Sequence, residues 1–274
     1  MMKKIAGLLP VFAVLAGILI LAYPVAGNYL NEKNASRAQG NYEAAVQDMG
    51  DEARRTVLEA ARAYNAQLFI AEDTGKSLAD EYWKMLDPEQ NGMMGCISIP
   101  RLDETLAIYH GTAEEVLQVG VGHVQNTSLP VGGPSTHAAL SGHRGLVSAK
   151  LFTDLDQMEI GDVFYIHVLG EILAYQVDRI LIVEPDEMDA LSVAEGEDYV
   201  TLITCTPYGI NSHRLLVRGS RIAYDPEEEL HVEAQQKPKR LSVQYRYPLI
   251  GAAVLVVFFV GMLLFNRISR QKRR

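Results

Sequence analysis

The run Tyr199-Val200-Thr201-Leu202-Ile203-Thr204-Cys205, followed at once by Thr206-Pro207-Tyr208-Gly209, decides the reading of this chain. The first seven residues are apolar and β-branched enough for a strand, and the next four favour a turn. A thiol at the end of a strand, beside a turn, can face a cleft instead of a packed interior, although an isolated cysteine is more often a buried apolar residue. Nine residues on, Arg214 opens a second strand-like run, Leu215-Leu216-Val217. Upstream, His143 sits in Ser141-Gly142-His143-Arg144-Gly145. A thiol, an imidazole and a guanidinium are sufficient for acyl transfer through a thioester.

Around this run the texture is uniform. Short apolar segments at 95–99, 105–109, 137–141, 162–168, 172–183, 199–205 and 215–222 read as strands separated by Gly- and Pro-bearing turns. Brief helical turns fit 113–117 and 149–155. Many short strands with such punctuation indicate a mainly β, closed or nearly closed barrel. Residues 31–69 read differently. They lack Pro and carry one apolar stripe through Val57, Leu58, Ala61, Tyr64, Ala66 and Leu68, so helix is expected, broken at Gly40 and Gly50. Residues 70–91 read as a loop with a short helix around 78–86, and 224–236 as an acidic exit from the barrel.

The ends carry two uncharged runs, 5–26 and 248–265. Each meets the ~18-residue minimum for a membrane span. Lys3 and Lys4 flank the first, and Arg267, Arg270, Lys272, Arg273 and Arg274 flank the second, which predicts both termini in the cytoplasm and the catalytic part outside. The first run also meets the requirements of a cleavable signal peptide, with Val25-Ala26-Gly27 as small residues, and the sequence leaves retention and cleavage both open. The expected segments are an N-terminal anchor at 1–27, a helical region and lid loop at 28–91, the barrel at 92–223, a linker at 224–247, a span at 248–266 and a basic tail at 267–274.

Of 25 Lys and Arg, seven lie outside the spans, leaving 18 against all 34 Asp and Glu, a net of −16 for the external part. Such a surface disfavours nucleic acid. Lys237, Lys239, Arg240 and Arg246 precede the second span and suit anionic lipid headgroups. Two cysteines are too few for a disulfide scaffold, so Cys96, in a strand-like run, is expected as a small core residue. No Cys-x-x-Cys or His-x3-His spacing supports a metal site, and no cofactor is expected. Among the seven histidines the glycines flanking His143 favour close approach, whereas His137 and His213 read as structural. Arg218 shares strand parity with Arg214, so strand geometry alone does not separate them.

Thr201-Leu202-Ile203-Thr204-Cys205, with Arg214 at Cys+9 and His143 in its Ser-Gly-His segment, resembles the signature of sortases. The likeness is closer still to class C, the pilin-polymerising sortases. It includes residues 205–219 together with Ile108-Tyr109-His110-Gly111-Thr112, Ser128-Leu129-Pro130-Val131-Gly132-Gly133 and Ala149-Lys150-Leu151-Phe152-Thr153-Asp154-Leu155, and spans about 92–222. The resemblance implies an eight-stranded β-barrel and a membrane-anchored transpeptidase with His143, Cys205 and Arg214 as its triad. It implies substrates with a C-terminal Leu-Pro-x-Thr-Gly-like sorting signal, a thioester on Cys205, and a pilin lysine as acceptor. The Thr206 N–H is a candidate second oxyanion donor. The Asp-Pro-aromatic lid motif of class C is missing between Phe69 and Trp83, so a loop without an aromatic plug is expected, with Asp73 as a candidate acid facing Cys205 and Trp83 as a packing residue. Other readings are a housekeeping sortase using a cell-wall precursor amine, a cysteine protease using water, and a non-enzymatic membrane receptor or scaffold.

Overall fold

The computed structural model describes residues 2–74, 79–187 and 189–271. Eight strands form one closed barrel: β1 (Met93–Ile99), β2 (Glu104–His110), β3 (Val121–His123), β4 (Thr136–Ser141), β5 (Val163–Val168), β6 (Glu171–Val183), β7 (Asp198–Thr206) and β8 (His213–Ile222). Their order around the barrel is β1-β2-β3-β4-β7-β8-β6-β5. Two pairs are parallel, β2 with β3 and β4 with β7, and the rest are antiparallel. Closure leaves no unpaired edge. The interior is filled by residues such as Ile97, Ile108, Leu140, Ile166, Leu202 and Val217, all fully buried.

Among the described residues, six α-helices accompany the barrel: α1 (Met2–Asp48), α2 (Gly50–Thr74), α3 (Ala79–Tyr82), α4 (Glu114–Leu117), α5 (Pro226–Gln235) and α6 (Val243–Gln271). The expected break at Gly40 does not occur. The one at Gly50 does, and its φ of +72° turns the chain where a side chain would be strained. At ~1.5 Å per residue, the 47 residues of α1 extend well beyond one bilayer, so its outer half lies along the barrel. There the Tyr42 hydroxyl donates to Met94 O at 2.9 Å and accepts from Leu169 N at 3.0 Å. From α2, the Asn65 amide both donates to and accepts from the Leu129 backbone. Most of the apolar stripe read from the sequence is the face that packs: Leu58, Ala61 and Tyr64 are buried and Val57 and Leu68 half-buried, whereas Ala66 lies on the exposed side.

Three elements differ from expectation. Strand β3 is only three residues long and glycine-centred, too short to show alternation. Helix α5 forms most of the acidic exit, to which no helix was assigned; Asp225 caps it by accepting from Glu227 N at 2.9 Å, Pro226 starts it, and three glutamates fill its first turn. The basic stretch before α6 is partly neutralised by the barrel, since Lys239 pairs with Glu159 and Arg240 with Asp156. Asp73 belongs to the last turn of α2 instead of a loop; its side chain and residues 75–78 lie outside the described residues. Helices α1 and α6 are both long and apolar enough to cross a membrane.

Candidate active site

The parallel pairing of β4 with β7 creates the site. Ser141 at the end of β4 lies beside Ile203 near the end of β7. Two residues further along each chain come His143 and Cys205, so both emerge at the same rim. Strand β8 starts at that rim because it runs antiparallel to β7, and the register sets Arg214 directly opposite Cys205. His143, Cys205 and Arg214 thus line one cleft of about 350 Å3, although 62 residues separate the first two in sequence.

One wall of the cleft is apolar, where Val124, Val183, Leu191, Ile203 and Leu216 pack as one cluster, and Leu117 adds to the lining. Glu184 and Glu187 line it as well. Cys205 is a free thiol and partly exposed. Cys96 is also free but fully inside the core, where burial pushes its thiol up to about 12, so it is inert as a nucleophile. The two sulfurs are not bridged. Arg214 Nη1 donates to its own neighbour's carbonyl, His213 O, at 3.1 Å. Arg218 is engaged elsewhere: it makes a two-pronged ion pair with Asp178, at 3.0 and 2.7 Å, and stacks over the Tyr199 ring at 4.0 Å. Common parity therefore does not give the two arginines a common environment.

Of the two histidines read as structural, only His137 is buried, between Ser192 O and the Thr201 hydroxyl, at 3.0 and 2.7 Å. His213 is half-exposed and pairs at 3.3 Å with Glu184, which lines the cleft. Arg144 turns away from the cleft that His143 lines, donating to Thr206 Oγ1 at 3.1 Å and pairing with Asp156 at 3.0 Å. Thr206 is buried and, among the described residues, is outside the set lining the cleft. Trp83 packs on Gly111 and meets Tyr82 edge-on at 5.0 Å, with half its surface exposed.

One feature escaped the sequence reading. Glu114, first residue of α4, lies 3.3 Å from His143 Nε2. Its carboxyl is held below the usual range, first by the Gln118 amide and then by His143. The acidic pair Glu114-Glu115 at the start of a helical turn was the available signal, but nothing in the sequence connected it to a histidine 29 residues away. The close approach expected from the glycines flanking His143 is present: a Cβ on Gly142 would lie 2.7 Å from the Phe152 ring, so only glycine fits there without a shift, and one on Gly145 would lie 3.2 Å from the Tyr208 ring.

A sortase-domain model matches residues 97–222. Among solved structures, sortase C1 of Streptococcus agalactiae is 43% identical, covers 69% of this chain and 100% of its own, and superposes with a TM-score of 0.66. The sortase C of Streptococcus pneumoniae is 43% identical over 69% of this chain and 97% of its own, with a TM-score of 0.62. Sortase D of Bacillus subtilis is 26% identical over 224 residues, which is 81% of this chain and all of that protein. The chain belongs to the sortase family of cysteine transpeptidases. Within that family its likeness is to class C.

Proposed function

We propose that this protein is a pilin-polymerising transpeptidase held at the cell surface by α1 and α6. The observation that carries the reading is the meeting of His143, Cys205 and Arg214 in one cleft with an apolar wall. That wall suits the Leu and Pro of a sorting signal. The S. pneumoniae neighbour, described in terms of pilin substrate specificity, points to the same substrate class.

The chemistry follows from the groups present. The Cys205 thiolate attacks the carbonyl carbon of the signal's Thr, and the oxyanion forms beside Arg214, whose planar donors stay charged at any physiological pH. One such donor is worth about 3 kcal/mol in other acyl-transfer enzymes. The Thr206 N–H is the second donor in this reading. His143 gives its proton to the departing Gly nitrogen as the C–N bond breaks, leaving a thioester on Cys205 and a free amine. A pilin lysine, as its neutral amine, attacks the thioester carbonyl and passes one proton to His143 as it does so, which restores the protonated imidazole. The C–S bond breaks, an isopeptide bond remains, and the thiolate is restored. Water would give hydrolysis instead, so the apolar wall favours transfer by limiting hydration.

The basic flanks of both spans orient the chain with its termini inside and the barrel outside. The test is direct. Full-length protein is incubated with a sorting-signal peptide and a pilin. Conjugates joined through lysine are expected from wild type and none from Cys205→Ala. Peptide release that added amine cannot divert would overturn the reading in favour of hydrolysis.

A further inference from the structure

Residues 144–152, the start of the β4–β5 connection, begin immediately after His143 and are gripped at their far end by both membrane helices. From α1, the Asn28 side chain accepts from the Lys150 backbone N–H at 2.9 Å, and the same amide donates to the Tyr245 hydroxyl of α6 at 2.8 Å. Asn28 is an almost fully buried polar residue, 2% exposed, two residues past the end of the apolar run. Beside it, a Cβ on Gly27 would lie 3.0 Å from the Ser148 backbone. From α6, the Gln244 amide donates to Val147 O at 3.3 Å. The helices also pack on each other, with Leu255 against Gly17 and Leu21 against Gly251. Lys150 is fixed from below as well, its ammonium donating to Leu102 O at 2.6 Å and pairing with Glu104 at 2.7 Å.

The other end of the loop is fixed to the reactive strands. Phe152 N donates to His143 O at 3.2 Å, and Gly145 N donates to the Thr153 hydroxyl at 3.1 Å. Arg144 reaches Thr206, the residue after Cys205. Gly145 lies against the Tyr208 ring, where a Cβ would come within 3.2 Å. The loop is therefore a short, hydrogen-bonded bridge from the two membrane helices to both sides of the cleft.

We propose that the paired helices α1 and α6 are a positioning part of the catalytic unit. Through Gly27, Asn28 and Gln244 they hold the 144–152 loop, and through it they hold His143 in register with Cys205. Anchoring and catalytic competence are then one property of the fold. The inference deepens the function proposed above and rests on the roles given there to His143 and Cys205. Because α1 continues without interruption from its apolar half to the barrel, the cleft is also kept at a fixed height above the bilayer.

The test uses the full chain in lipid nanodiscs. Gly27→Val pushes the loop away, and Asn28→Leu removes the hydrogen bonds at similar volume. Gly40→Ala is the control, since a side chain there meets nothing within 4 Å on the same helix. Two rates are read: alkylation of Cys205 by iodoacetamide from pH 5 to 9, with Cys96 too buried to compete, and acylation by a sorting-signal peptide. Gly27→Val and Asn28→Leu should each slow acylation about tenfold with KM within twofold, and should displace the alkylation pH profile. A tenfold loss corresponds to about 1.4 kcal/mol. Rates and profiles equal to those of Gly40→Ala would overturn the proposal. So would parallel losses in kcat, KM and unfolding temperature, which mark general damage. If wild type alkylates normally but no sorting-signal peptide acylates it, the functional reading fails, while the alkylation profiles still decide this one.

Discussion

Arg214 and Arg218 show how much a single residue's surroundings matter. Both are arginines on one strand with the same parity, yet only Arg214 faces the thiol across the β7–β8 ladder. Arg218 is consumed by Asp178 and Tyr199. Arg214→Lys keeps the charge but loses the planar fork, so kcat/KM for peptide cleavage should fall at least a hundredfold. Arg218→Lys should leave that parameter within about threefold and lower stability by about 1 kcal/mol, as for a half-exposed ion pair. Steady-state kinetics and thermal melts on the two variants check both statements. Gly142 gives a second residue-scale prediction. Gly142→Ala places a methyl against Phe152 and displaces the adjoining His143, so acylation should slow more than tenfold while peptide KM changes little.

At the scale of elements, the unit joining α3 to β2 and β3 carries its own pH signature. Tyr82 is fully buried and accepts from Gly111 N at 2.8 Å, with its hydroxyl 3.0 Å from His123 Nδ1. With Nε2–H donating to Ser128 O, Nδ1 is left as the acceptor for Tyr82. Burial drives the His123 imidazole down to about 4, against 6.5 when exposed. Between those values the unfolded chain takes up a proton that the native state refuses, so this contribution to stability is present above pH 6.5 and is lost as pH falls towards 4. Glu104, pushed up to about 7 by burial, acts in the opposite sense, its contribution declining as pH rises from 4.5 to 7. Comparison with a variant therefore isolates each. The stability advantage of wild type over His123→Gln should shrink by up to about 3 kcal/mol between pH 7 and pH 4. A constant difference in denaturant melts would contradict the assignment.

The same scale shows what the sequence could convey. Strands β5, β6, β7 and β8 were legible because each is long enough to show β-branched, apolar character, and Cys205 with Arg214 lay within one hairpin whose register follows from its short connection. His143 was legible only through a motif. What brings it to Cys205 is parallel pairing between strands far apart in the chain, which no local pattern encodes. Strand β3 was invisible because Val121-Gly122-His123 has the composition of a turn. Helix α5 was missed although Asp225-Pro226-Glu227-Glu228-Glu229 is a helix-start signal, because the stretch was read only as an acidic exit from the barrel. Glu114 was beyond reach for the same reason as the parallel pairing.

Across the whole molecule, the long helices are continuous with the catalytic body. The closed barrel supplies a rigid rim, α1 and α2 brace it along one side, and α6 returns to pack on α1. A topology reporter fused to either terminus should be active only in the cytoplasm, and one inserted after α5 only outside. A reporter at the N-terminus that reads external would overturn the orientation taken from the basic flanks. The acidic external surface also predicts that acceptor capture, which brings a lysine ammonium to the cleft, weakens with salt. The apparent KM for a lysine acceptor should rise several-fold between 0.05 and 0.5 M NaCl, while that for a neutral sorting-signal peptide stays nearly constant.

The most direct measurement is intact-protein and peptide-mapping mass spectrometry of the full-length chain quenched in acid during turnover of a sorting-signal peptide. The account predicts a thioester adduct on Cys205, cut between Thr and Gly of the signal, lost on adding a lysine acceptor and never seen on Cys96. Turnover of the same peptide without any adduct on Cys205, or with an undiminished rate in Cys205→Ala, would contradict it.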